Sequence, residues 1–209
     1  MDRKEIAKGM LDGAIFYHGH RCPAMPLGLR AGLYALDLLG VERCRAHELH
    51  LVCESGPAHA TMCFVDGAMY ATGCTYGKGA AHRVNIGKNA IILVEMSSNR
   101  AVRVAVKPEF FEQAMQSEFV RLRSQGIPPQ DIAPEIVNPL IDRVMSLDDG
   151  EMFNASDIFE MTIKRPVGTF DLKRCDGCGE AVFGNCVQEQ NGRLICLECA
   201  GGVDKGLVK

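Results

Sequence analysis

The chain has 209 residues, enough for one substantial core and a small additional module. Hydrophobic content of 47% and charged content of 23% are those of an ordinary globular protein, and a net charge of −3 gives no basic signature for nucleic acid. No run approaches the roughly 18 apolar residues of a membrane span, and the charged first ten residues lack the apolar stretch of a signal peptide, so a cytoplasmic chain with no membrane association is expected.

Arg3–Tyr17 carries Ile6, Met10, Leu11, Ala14 and Tyr17 at helical spacing, and Gly19 breaks the pattern. Pro23 suits the first position of a second helix, whose apolar face is Leu27, Ala31, Tyr34, Ala35 and Leu38 and whose end is capped by Gly40. Glu48–Cys53 reads as a strand. Ser55-Gly56-Pro57 opens a helix expected over 58–72, with Gly73 at its C-cap. A glycine-rich loop, Gly73 to Gly79, follows. Ala90–Met96 and Ala101–Val106 are β-rich and joined by a turn at 97–100, which predicts an antiparallel hairpin. Pro108 begins a helix expected to run to about Gln125, where Gly126-Ile-Pro-Pro129 ends it. Residues 130–147 read as helical, interrupted by Pro134 or Pro139, and Arg165–Gly168 reads as a linker. The order is not a regular β-α alternation, so an α+β core with an antiparallel sheet and packed helices is expected over 1–167, with a small module over 168–209.

That module carries Cys175-x2-Cys178 and Cys196-x2-Cys199, the spacing of a four-thiolate zinc site. Ala181–Ile195 can form a hairpin that joins the pairs, and Cys196–Ala200 reads as a helix start. Knuckle, hairpin and helix predict a treble-clef finger holding Zn2+. Five Lys/Arg against six Asp/Glu over 168–209 argue against a DNA-binding finger.

In the core, His18-Gly19-His20-Arg21-Cys22-Pro23 places two imidazoles and a thiol in one turn before a helix, where the helix dipole favours thiolate at Cys22. Thiolate and imidazole are natural ligands of zinc and other late transition metals. Cys63 completes the candidate set, and His59 (four residues before it) and Asp66 (three after) belong near the same helix face. Asp66 would orient a ligand histidine or accept a proton, and Lys78, between Gly77 and Gly79, would hold an anionic group. Cys74 is a further candidate, whereas Cys44, Cys53, His47, His50 and His82 read as packed or hydrogen-bonding residues. The glycine-rich loop lacks the frame of a P-loop, and no nucleophile elbow or dinucleotide fingerprint is present.

Phe16-Tyr-His-Gly-His-Arg-Cys-Pro23 with Gly28-Leu-Arg-Ala-Gly32, followed by Cys63-Phe-Val-Asp-Gly67 and Thr72-Gly-Cys-Thr-Tyr-Gly-Lys-Gly79, resembles the two motifs of the FmdE family, which takes its name from formylmethanofuran dehydrogenase. Met69 and Gly79-Ala-Ala-His82 depart from the family pattern. The resemblance implies an α+β core, a homodimer, a cleft where the His/Cys and Cys/Asp/Lys motifs meet, and an appended treble-clef finger. It also points to an accessory protein tied to molybdenum or tungsten formyl- or formate-type oxidoreductases, and the residue types predict a second transition metal at His18, His20, Cys22 and Cys63. Alternatives are a stand-alone metalloenzyme acting on a small anionic substrate, with Asp66 and Lys78 beside the metal, and an adaptor acting through the finger.

Overall fold

A computed structural model describes residues 2–56, 61–165 and 167–201. The chain divides into two compact units, Met1–Ile163 and Lys164–Lys209. The first is an α+β unit. It opens with helices α1 (Arg3–His18) and α2 (Ala24–Leu39), strand β1 (Leu49–Cys53) and helix α3 (Cys63–Thr72). Strands β2 (Ala81–Arg83), β3 (Ala90–Glu95) and β4 (Arg100–Val106) follow, then helices α4 (Pro108–Met115), α5 (Glu118–Ser124), α6 (Pro134–Ser146) and α7 (Asp149–Met152), and strands β5 (Phe153–Ala155) and β6 (Phe159–Glu160). The sheet order is β2-β1-β3-β4-β5, with β6 also pairing β4. The pairings are antiparallel except β1 with β2, a short parallel edge that three residues of sequence pattern do not announce.

The first three helices end at Gly19, Gly40 and Gly73, as the sequence predicts. The helix expected over 108–125 is instead two. The Ser117 hydroxyl accepts a hydrogen bond from the Val120 N–H, caps α5 and restarts the chain in a new direction. Pro134 sits in the first turn of α6, and Pro139 lies inside that helix without ending it. Of the helix expected over 58–72, the described part runs from Cys63; His59 lies outside the described residues.

Helices α2 and α3 touch backbone to backbone. A Cβ on Gly28 would sit 1.8 Å from the Phe64 carbonyl oxygen, and one on Gly67 would sit 1.9 Å from that of Met25. Gly32 meets Ala68, Ala71 and Thr72 further along, so both helices run the same way and their starts lie together. Only glycine permits this approach. Next to the crossing, Arg30 is 1% exposed yet donates to the carbonyls of Val144, Met145 and Leu147 and to Asp149, which ties α2 to the end of α6 and to α7. Asp149 also accepts from Arg3 of α1. A buried guanidinium is tolerated because neutral oxygens and one carboxylate surround it.

The second unit holds two hairpins, β7 (Leu172–Arg174) with β8 (Ala181–Phe183) and β9 (Val187–Gln190) with β10 (Arg193–Cys196). The single hairpin expected over 181–195 is therefore corrected. A 3-10 turn at Gly184–Cys186 separates β8, which pairs backward, from β9, which pairs forward. The second hairpin turns at Asn191-Gly192, both with positive φ, as the two-residue hairpin turn requires. Residues 197–201 form turns rather than the expected helix start, and 202–209 lie outside the described residues.

Candidate metal centre and adjoining cavity

The glycine crossing sets the core cluster. It brings the start of α3, where Cys63 is the first residue, against the turn before α2 that holds His20 and Cys22. His18 is the last residue of α1. One ligand atom from each of His18, His20, Cys22 and Cys63 can be chosen so that all four lie within 4.8 Å of one another. His18 Nε2 lies 3.2 Å from His20 Nε2 and 3.7 Å from Cys22 Sγ, and Cys63 Sγ lies 3.9 Å from His20 Nε2. A tetrahedral zinc with Zn–N and Zn–S bonds of about 2.0–2.3 Å has ligand–ligand edges of roughly 3.3–3.8 Å. The donor types and their spacing fit such an ion.

Asp66, one turn after Cys63, hydrogen-bonds His18 Nδ1 at 2.8 Å. This turns Nε2 toward the other donors, the carboxylate–histidine arrangement typical around bound metals. The same contact, then one to Cys63, raises the His18 pKa to about 9 against the opposing effect of burial. The two thiols share charge unequally. Cys22 is pushed up, first by its hydrogen bond to Cys63 and then by burial, whereas Cys63 is pulled down by that bond and by His18. Without a metal, the thiolate expected at Cys22 from the helix start is therefore opposed by burial, Cys22 being 2% exposed, and the more open Cys63 is the thiol shifted toward ionisation.

Lys78 is placed elsewhere. The 3-10 turn Tyr76–Lys78 sends its amine to the carbonyls of Cys44 and Arg45, and it does not line the cavity described below. Cys74 is fully buried, and burial pushes its thiol up to about 12, which makes it a packed residue outside the donor group. Burial does the same to Cys53. His50 and His82 bond to each other at 2.7 Å across β1 and β2, also apart from the donors.

His20, Cys22 and Cys63 form part of the wall of a cavity of about 400 Å³. The rest of the wall is mostly apolar; α4, α5 and α6 supply much of it, with Pro23, Ala24 and Leu27 from the start of α2, Phe64 of α3, Pro129, and Thr61 and Asn89. The sequence pattern does not reveal this cavity. Its one signal is Phe110-Phe111 followed by Ala114-Met115 on an otherwise polar helix, a face whose partner the sequence leaves undefined.

In the second unit, Cys175, Cys178, Cys196 and Cys199 also place their sulfurs within 4.8 Å of one another. The N–H groups of Gly177 and Cys196 point at Cys175 Sγ at 3.3 and 3.2 Å, and that of Cys199 points at Cys196 Sγ at 3.4 Å. The Cys196 N–H, followed by those of Cys178 and Gly177, pulls Cys175 down to about 6, so one thiolate is available near neutral pH. The set fits a four-thiolate ion site. Cys186 is outside it.

The family model of FmdE, described by the molybdenum formylmethanofuran dehydrogenase operon, matches residues 17–154, which span the core cluster. The chain belongs to the FmdE family. A tungsten formylmethanofuran dehydrogenase FmdE-like protein of Syntrophus aciditrophicus shares the fold with a TM-score of 0.53, 18% identity, and coverage of 94% of this chain and 92% of that one. A probable S-adenosyl-L-methionine-binding protein of Archaeoglobus fulgidus is 29% identical over 92% of this chain, which spans 54% of that relative. No helix among the described residues is long and apolar enough to cross a membrane.

Proposed function

We propose that this FmdE-family chain is a metal-binding accessory protein of molybdenum or tungsten formyl- or formate-type dehydrogenase metabolism. In this reading it holds a transition metal at His18, His20, Cys22 and Cys63 and a structural zinc at Cys175, Cys178, Cys196 and Cys199. The observation that carries it is the spacing of the core donors, with His18 already oriented by Asp66. Held by these four residues, a metal would supply Lewis acidity beside the cavity. The residues themselves do the rest. Asp66 fixes the histidine tautomer, Cys22 and Cys63 supply negative charge, and the apolar walls exclude water. The domain division at 167/168 and the homodimer belong to the same proposal; sedimentation of the full chain as a monomer at tens of micromolar would remove the dimer.

The cavity favours a second reading, a stand-alone metalloenzyme acting on a small anionic substrate, because an inert structural ion needs no substrate-sized space beside it. Among the described residues no Asp or Glu lines the cavity, so S-adenosyl-L-methionine binding, the relative's property, is not part of this proposal. The deciding experiment is a metal count by mass spectrometry on wild type and the Cys22→Ser/Cys63→Ser double variant. Loss of one metal per chain with the fold and the finger metal retained is expected, and an unchanged count defeats the core site.

A further inference from the structure

We infer that the cavity beside the core cluster is the binding site of an amphipathic organic anion: a small molecule with an apolar body and a terminal carboxylate or comparable group, held by Arg123 and Arg143. This deepens the proposed function and rests on it for what the metal would do to such a molecule. Three observations carry it.

The first is size and lining. About 400 Å³ lies within the range of small-molecule sites, and the wall is dominated by Leu27, Phe110, Phe111, Phe119, Val120 and Leu140. The second is the state of α4. That helix has no fully buried residue, and its Phe111, Ala114 and Met115 are half-buried and line the cavity. An apolar helix face left on a cavity lacks the packing a ligand body would supply.

The third is charge. Arg123 and Arg143 line the cavity and are exposed, which puts them at its open edge. Arg123 donates to the Ile127 carbonyl at 2.6 Å and Arg143 to the Gln113 side-chain oxygen at 2.7 Å, both neutral acceptors. Among the described residues neither is in an ion pair, and no carboxylate lines the cavity. Arg3, Arg30, Arg100, Arg103 and Arg121 face carboxylates, whereas Arg21 and Arg43 also donate to neutral oxygens but do not line the cavity. Two unneutralised guanidiniums on an apolar cavity select a molecule that is apolar along its body and negative at one end. The anion-holding task expected of Lys78 thereby moves to residues from α5 and α6.

The test uses the full chain with its metals counted in the same sample. The reporter is 8-anilinonaphthalene-1-sulfonate fluorescence, displaced by decanoate, decanol or decylamine. Decanoate should compete at least about tenfold better than decanol or decylamine, the scale of one charge-assisted hydrogen bond. The Arg123→Gln/Arg143→Gln variant, changed only at exposed positions, should lose that preference while decanol binding stays. Ala114→Trp, which fills the cavity, should abolish displacement. Equal competition by decylamine, an unchanged preference in the double arginine variant, or unchanged binding in Ala114→Trp overturns the inference. A metal-loaded core without discrimination among the three ligands defeats this inference alone. Discrimination without a core metal supports it and defeats only the metal reading.

Discussion

The C-terminal cluster takes its four donors from two CxxC turns within 25 residues, all thiols, with backbone N–H groups aimed at the sulfurs. The core cluster takes a donor from the end of α1, two from the next turn and one from the start of α3, and mixes imidazole with thiol. The first is built by local chain geometry around a site with little core: Cys175 and Ile195 are its buried hydrophobic side chains among the described residues of that unit. The second stands on a packed α+β core and a close helix crossing. Metal loss is therefore expected to unfold the C-terminal region and to leave the core folded.

Breaking the C-terminal cluster should give the largest effect. Cys178→Ser, or a chelator that removes the proposed zinc, should unfold the region beyond about 170, because structural zinc supplies about 10–16 kcal/mol of folding free energy in small finger peptides. Limited proteolysis should then remove the tail while the first unit keeps its cooperative melting transition. A protease-resistant tail with unchanged zinc would erase the contrast between the two regions.

Gly67→Ala should come next. Its Cβ meets the Met25 carbonyl at 1.9 Å, so α2 and α3 must separate, at a cost of about 3 kcal/mol. Urea unfolding should show this loss, and the core metal content should fall while the finger zinc stays. A stable variant with a full core site would mean that the crossing does not position Cys63.

Asp66→Asn should be milder for the fold and specific for the core. Asp66 is partly exposed and, among the described residues, holds the His18 ring, so stability should stay near wild type while core metal affinity drops about tenfold, the lower range for losing such an outer contact. Competition with a chromogenic chelator measures this. Loss of affinity at the finger instead would contradict the assignment.

The smallest effect is expected at Glu48, away from both clusters. Its carboxylate accepts from the N–H groups of Ala46 and Arg45 and from the Cys44 thiol, and the Ala46 contact is the main cause of a pKa lowered to about 2. A depressed pKa stabilises the fold above the unfolded value of 4.5, and the contribution fades as pH falls toward 2. Wild type should thus exceed Glu48→Gln slightly at pH 7, and the gap should close between pH 4.5 and about 2, as read by denaturant midpoints.

The sequence by itself determined the features that depend on near neighbours. The paired CxxC spacing, the helix ends at Gly19, Gly40 and Gly73, and the hairpin around residues 97–100 follow from chain geometry over a few residues, and the structure has all of them. It also marked His18, His20, Cys22 and Cys63 by chemical type. Tertiary structure decided what those residues can do. Gly28 and Gly67 sit 39 positions apart, and their sequence contexts do not state that the two backbones touch, yet that contact joins Cys22 to Cys63. Burial and the Cys22–Cys63 hydrogen bond push the Cys22 thiol up and the Cys63 thiol down, because both depend on what surrounds the sulfur and not on its distance from a helix start. Lys78 lost its expected place for a similar reason: flanking glycines give a loop freedom without fixing its direction, and the carbonyls of Cys44 and Arg45 capture the amine. Arg123 and Arg143 border the same cavity because α5 and α6 meet there, a relation between distant segments that no local pattern encodes.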